Sequence, residues 1–350
     1  MKYIAPRWLP GGQMQTIWPA LYSRRVFGPR PEYRRERWDT PDGDFVDVDF
    51  LHDGALRAPH APSPRRRPLL VVFHGLEGSS RSHYGEAFAD LARERGWACA
   101  LPHFRGCSGE INRAPRAYHS GDHAEIGWML QRLRAAHDGP LMAVGVSLGG
   151  NALLRWAAEV GEDAARHADA VAAVCSPIDL AAGGHAIGRG FNRQVYTRMF
   201  MRTLVPKALR KLAQHPGLFD RQALLAARDL YAFDNVFTAP LHGFRNTEDY
   251  WQRASAKPLL HRIRVPALVV NALNDPFVPA ASLPSPQEVR NPFVTLWQPA
   301  HGGHVGFARG RLPGHVRAMP DAVGEWLAAH AGAGAMTRPD MPVGAESPHG

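Results

Sequence analysis

No run of apolar residues in this chain approaches the roughly 20 that a bilayer-spanning helix needs. The leading stretch MKYIAPRWLPGGQMQ also lacks the continuous apolar core of an export signal. Neither export nor a membrane anchor is expected, and a cytoplasmic protein fits best. Cysteine is equally scarce. Cys99, Cys107 and Cys175 cannot all pair with one another, and they show neither CxxC spacing nor companion histidines in metal-ligand register. A disulfide framework and a cysteine metal site are set aside in favour of a reduced protein. There is no HExxH element, no clustered His and Asp ligand set and no internal repeat. Neither a metal nor a cofactor is expected.

What is present is an ordinary globular composition. With 45% hydrophobic and 21% charged residues over 350 positions, disorder throughout is excluded, and one large α/β domain or two small ones can be built. The formal net charge of +9 comes from 41 Lys and Arg against 32 Asp and Glu, with arginine spread from Arg7 to Arg338 rather than focused on one helix. That spread points to a generally basic surface, and no nucleic-acid partner is expected. The tight run Arg65, Arg66, Arg67 lies in the Pro-rich stretch APHAPSPRRRP and reads as a solvated linker.

Residues 1–33 are rich in Pro, Gly and aromatics and read as an extended arm laid over the domain rather than as a helix. The main domain is expected over 34–331. Phe45, Val46, Val48 and Phe50 beside the turn signal PDGD mark a β-hairpin, followed by a polar loop over 52–67. From Pro68 onward, short apolar runs such as PLLVVFHG, WACALPHF and PLMAVGVS alternate with helical spacing over 83–95 and 120–136. This alternation predicts an α/β fold with a mostly parallel central sheet covered by helices on both faces. Between about 182 and 256 it stops, and the sequence turns helical and aromatic-rich. That stretch is expected to be a helical cap, inserted after the sixth strand and closing over the C-terminal edge of the sheet, where such folds bind ligands. Residues 332–350 lack the apolar content to pack and read as a disordered tail.

The chemistry centres on Gly145, Val146, Ser147, Leu148 and Gly149, between an apolar strand and an amphipathic helix. A nucleophile elbow needs a sharp strand-to-helix turn, and glycines two before and two after the serine relieve its crowding. The following helix N-terminus adds backbone N–H groups and a positive dipole end. A hydroxyl without a base is a poor nucleophile, so an acid and a histidine are required downstream, in that order. Asp275 in NDPF and Asp179 in CSPIDL both follow core strands and are both candidates for the acid. His301 and His304 in PAHGGHVGF compete for the base, with His304 favoured because it directly follows the Gly pair. The backbone N–H groups of Leu76, in HGLEG, and of Leu148 are the natural oxyanion donors.

Taken in order, QMQTIWP, HGLEGSS, FRGCSGE, YHSGDH, GVSLGGN, PLHGF with DYW, NDPF and HGGHVGF cover most of residues 10–330. Through these elements the chain resembles the YheT-like branch of the α/β-hydrolases, AB-hydrolase family 4. The resemblance implies an α/β-hydrolase fold and a charge relay of Ser147, Asp275 and His304. It further implies carboxylic-ester hydrolysis through an acyl-enzyme, on a small-molecule ester with an apolar, short- to medium-length acyl chain or on an acylglycerol. An acyltransferase using the same triad is the alternative within enzymes, and a catalytically silent ligand-binding protein the alternative outside them. Two positions depart from the family pattern: Gln13 stands where a His is usual, and His123 where a Thr is usual. Both bear on substrate preference rather than chemistry. Cys107 is expected to pack rather than to act as a second nucleophile.

Overall fold

The computed structural model describes residues 1–52 and 66–335. Arg65 and most of the 52–67 loop fall outside the described residues, as do residues 336–350 of the tail expected over 332–350, whose first residues, 332–335, instead end the C-terminal helix Ala318–Ala335. Eight strands form one sheet in the order β1-β2-β4-β3-β5-β6-β7-β8. The hairpin strands β1 (Tyr33–Asp39) and β2 (Phe45–Leu51) pair antiparallel, and β2 runs antiparallel to β4 (Ala98–Pro102). The hairpin turn is closed by Thr40, whose backbone N–H donates to the Asp44 carbonyl at 3.0 Å and whose hydroxyl accepts from the Asp44 N–H. All later pairings are parallel, joining β3 (Leu69–Phe73), β5 (Leu141–Val146), β6 (Ala170–Val174), β7 (Ala267–Val270) and β8 (Val294–Trp297).

Successive residues of these strands feed two separate cores, as a period of two requires. Val71, Phe73 and Ala143 pack with Ile126 and Met129 of α3 (His123–Ala135) and with Leu153 and Trp156 of α4 (Leu148–Val160). Leu70, Val72 and Val144 pack on the other face with Phe88 and Leu91 of α2 (His83–Glu94) and with Val323 and Leu327 of the C-terminal helix Ala318–Ala335. Burial on both faces explains why the strands read as continuous apolar runs. Each such Val, Leu or Phe contributes about 1.5–3 kcal/mol by leaving water. No described helix is long and apolar enough to cross a membrane.

The expectation of an extended arm over 1–33 needs correction, because Gly11–Leu21 is a helix, α1. Two glycines and Pro19 argue against a helix on propensity alone. Tertiary contact overrides them: Gln15, Thr16 and Pro19 are buried, and Gly12 lies so close to the Asn274 carbonyl that a Cβ there would come within 1.9 Å of its oxygen. Between β6 and β7 the chain makes only helices, among them Leu180–Ile187, a helical run from Gly190 to Gln214, Arg221–Ala226 and Thr247–Ala254. These helices and the ends of the sheet strands together line the cavity that contains Ser147.

Candidate active site

Ser147 ends β5 and opens α4 with φ +53° and ψ −117°, a backbone conformation that costs a non-glycine residue about 1–3 kcal/mol. Its N–H is held by the Val174 carbonyl at 2.8 Å. Gly145 and Gly149 make the turn possible: a Cβ on Gly145 would sit 2.4 Å from the Gly149 oxygen, and one on Gly149 would sit 2.5 Å from the His74 oxygen. The turn therefore leaves the serine side chain free of its own backbone and facing the cavity.

His304 brings Nε2 to 3.0 Å from Ser147 Oγ, and its Nδ1 lies 2.9 Å from Asp275 Oδ2. The other carboxylate oxygen, Asp275 Oδ1, accepts from the N–H groups of Phe277 at 2.8 Å and Val278 at 3.3 Å. Phe277 covers the imidazole with a ring-centroid distance of 4.1 Å. The competing residues are elsewhere. Asp179 caps the helix Leu180–Ile187 by accepting from the Ala182 N–H, and His301 is exposed with Nδ1 3.4 Å from Asn274 Nδ2.

Leu76 and Leu148 line the same cavity as Ser147, and a Cβ on Gly75 would stand 3.1 Å from Ser147 Cβ, so the HGLEG loop lies directly against the serine. That loop is fixed from below. The Phe104 N–H donates to His74 Nε2 at 3.1 Å, His74 Nδ1 lies 2.7 Å from the Gly75 carbonyl, and the Gly75 N–H donates to the Tyr84 hydroxyl at 2.9 Å. Burial, with His103 alongside, pushes the His74 imidazole down to about 3, so the ring is neutral and suits this pairing. From above, Lys207 of the cap donates to Glu77 Oε1 at 2.8 Å, and Tyr118 donates to the same oxygen at 2.9 Å. The HGLEG loop is thus tied by an ion pair to the helical run Gly190–Gln214.

Polar residues of α1 that sequence reasoning did not single out hold the histidine loop. Gln15 Oε1 accepts from the Gly302 N–H and from Asn274 Nδ2, both at 2.9 Å, while Thr16 Oγ1 accepts from the His304 N–H at 2.9 Å. Asn274 Oδ1 completes the stitch by accepting from the Gly303 N–H at 3.0 Å. The signal was the pair of adjacent polar residues in QMQT, hidden because the arm was read as extended. Gln13 joins α1 to the cap: its Nε2 donates to Asn192 Oδ1 at 2.8 Å and its Oε1 accepts from the Tyr196 hydroxyl at 2.7 Å. His123 lies at the start of α3, lining a separate cleft with Arg116 and Arg155, away from Ser147.

Cys175, at φ +51°, accepts from the Val305 N–H at 3.3 Å and supports the histidine loop from behind. With Asp275 and His304 it places three donor atoms within 4.8 Å of one another. Burial, reinforced by Asp275, pushes its thiol well above the ordinary value, which suits a neutral packing thiol better than a metal ligand. Cys107 behaves alike, its thiol pushed up to about 12 by burial despite Lys207 nearby. The cavity around Ser147 measures about 1090 Å³ with its solvent-open mouth included, and the wall supplied by the helices between β6 and β7 is mostly apolar, through Ile187, Phe200, Leu204, Phe233 and Phe237, with Lys207, Lys211, Asp234 and Thr238 as its polar members.

A mostly parallel sheet, an elbow serine and a hydrogen-bonded acid and histidine following later strands define an α/β-hydrolase fold. The α/β hydrolase fold family matches residues 68–310, and the chain belongs to it, in its YheT-like branch. It is 38% identical over 330 residues to YheT of Escherichia coli (strain K12), covering 93% of each chain. It is also similar to phospholipase ABHD3 of Mus musculus, 28% identical over 81% of this chain and 69% of that one. An esterase structure from Pyrococcus furiosus superposes with a TM-score of 0.52 over 88% of this chain and 98% of its own, at 15% identity, which speaks to the fold.

Proposed function

We propose that the chain is a serine carboxylic-ester hydrolase working through an acyl-enzyme at Ser147. The supporting observation is the unbroken chain of hydrogen bonds from Ser147 Oγ through His304 to Asp275, opening into an apolar cavity. In the reaction, Ser147 Oγ attacks the ester carbonyl while His304 Nε2 takes its proton. The carbonyl oxygen becomes an oxyanion facing the N–H groups of Leu76 and Leu148, each donor contributing about 3–4 kcal/mol of transition-state stabilisation by serine-protease precedent. Collapse breaks the bond to the alkoxide, which leaves with the proton from His304. Water, deprotonated by the same imidazole, then releases the acid and restores Ser147. Asp275 fixes the tautomer and stabilises the imidazolium.

The apolar wall favours short- to medium-chain acyl esters or acylglycerols, and the phospholipase named among the relatives is consistent with a lipid-like ester. A panel of p-nitrophenyl esters from short to long acyl chains, run on wild type and on Ser147→Ala, tests this reading. Turnover by wild type and a loss of about 10⁴-fold or more in Ser147→Ala are expected. Failure of wild type on every ester, or a loss under about a hundredfold, overturns it. So does a fluorophosphonate probe that does not attach to Ser147.

A further inference from the structure

Arginine is scattered along this chain, but acid is not. From Leu180 to Phe219 there is no Asp or Glu, while five arginines and two lysines fall in the same stretch. Lys207 and Lys211 turn inward, to Glu77 and to the carbonyls of Asn112 and Ala114. Arg189, Arg193, Arg198 and Arg202 are exposed, and among the described residues none of the four makes an ion pair.

Interleaved with these cations, the helical run Gly190–Gln214 turns Phe191, Val195 and Met199 outward at 52%, 37% and 51% exposure. Four-residue spacing puts them on one flank. Met14 of α1, beside the Gln13 that bonds Asn192 and Tyr196, is exposed as well. On the opposite flank Tyr196 is buried against Phe277, and Phe200 and Leu204 line the cavity that holds Ser147. One helix thus has an inner face in the cavity and an outer flank on which Arg198 and Arg202 lie three residues after Val195 and Met199 respectively.

We propose that this outer face docks on an anionic lipid bilayer. Arginines suit headgroup phosphates, and the large apolar side chains between them gain by entering the acyl boundary. A nucleic-acid backbone would meet the charges but leave the apolar chains in water. Docking there sets at the interface the helix whose inner face, through Phe200 and Leu204, lines the cavity of Ser147, so a membrane-borne ester is delivered next to that cavity. That consequence rests on the ester-hydrolase reading; the docking itself does not.

The test uses the full chain carrying Ser147→Ala, so that vesicles stay intact, floated with vesicles of phosphatidylcholine alone or mixed with phosphatidylglycerol. Binding to the anionic vesicles is expected, weakened by salt. Replacing Arg198 and Arg202 together by Gln is expected to weaken it about thirtyfold, at about fivefold per arginine near an anionic surface. Phe191→Ser with Met199→Ser is expected to weaken it about tenfold. In the active protein these substitutions should leave a water-soluble p-nitrophenyl ester turned over within about twofold of wild type and lower turnover of a vesicle-borne ester in step with binding. Absence of binding to anionic vesicles, or binding that ignores both pairs of substitutions, overturns the proposal. Competition by duplex RNA at similar affinity overturns it too, in favour of a nucleic-acid surface. Should wild type fail on the soluble ester while flotation succeeds, the hydrolase reading falls and the docking stands.

Discussion

On the sheet side of the cavity, Ser147, Asp275 and His304 hang from turns and loops held by hydrogen bonds, whereas the helices on the other side, the long run Gly190–Gln214 among them, meet solvent on their outer face. Ser147 is locked by Val174 and by the glycine contacts around it, and His304 by Thr16, Gln15 and Cys175. The cap instead contributes walls, through Phe200, Leu204, Phe233 and Phe237, and one ionic tie through Lys207. The contrast teaches a division of labour under the proposed mechanism: the sheet side holds the geometry of Ser147, His304 and Asp275, and the helices between β6 and β7 set what lies beside them.

The largest expected effect comes from loosening the sheet side without touching the three groups of the proposed relay. Thr16→Val removes the acceptor for the His304 N–H while keeping the volume. A loss in kcat of about a hundredfold with KM within about twofold is expected for every ester alike, as for a misplacement near 1 Å. Steady-state kinetics with short and medium esters measures it, and a KM change specific to one chain length would erase the contrast. Phe237→Ala on the cap side should do the reverse. It is expected to lower kcat/KM about tenfold for medium-chain esters and barely alter acetyl esters, since only a longer chain reaches that wall.

The smallest effect concerns pH. Glu125, beside Arg105 on the sheet side, has its carboxyl pushed up to about 7 by burial and by Asp122. The folded chain therefore keeps a proton that the unfolded chain sheds near about 4.3. Stability present in acid is lost as pH rises through about 7. Lys211 on the cap side has its ammonium pushed down to about 8 by burial, against about 10.4 when unfolded. Its stability contribution is complete at high pH and is lost as pH falls through about 8. Thermal melts across pH should show Glu125→Gln flattening the neutral decline and Lys211→Met flattening the alkaline rise. A single substitution that flattened both would deny the separation.

Much of the sheet side was legible in the sequence. Strands buried on both faces write themselves as unbroken apolar runs, and the elbow needs glycine at 145 and 149 for steric reasons that leave no substitute. The place of His304 directly after the Gly pair favours it over His301 in the sequence, and the structure brings His304 to Ser147 and leaves His301 exposed. The helix α1 was hidden for a different reason. Its glycines and proline look like loop formers, yet Gly12 is there for close approach to Asn274, a contact more than 250 positions away that no local pattern encodes. The outward cationic face of the cap was obscured by counting arginine alone, when the informative quantity was missing acid.

The stitching of α1 onto the histidine loop also dictates an order of assembly. Thr16 and His304 are separated by 288 positions, and Gln15 and Gly302 by 287. Contacts so distant along the chain close late, because their loop entropy is met only after local structure has formed. A folding chain would therefore hold a finished elbow and a finished sheet for some time before its imidazole has a fixed place. Recovery of ester turnover during refolding should lag behind recovery of helix and sheet signal, making the activity a report on the last step of folding rather than on the fold itself.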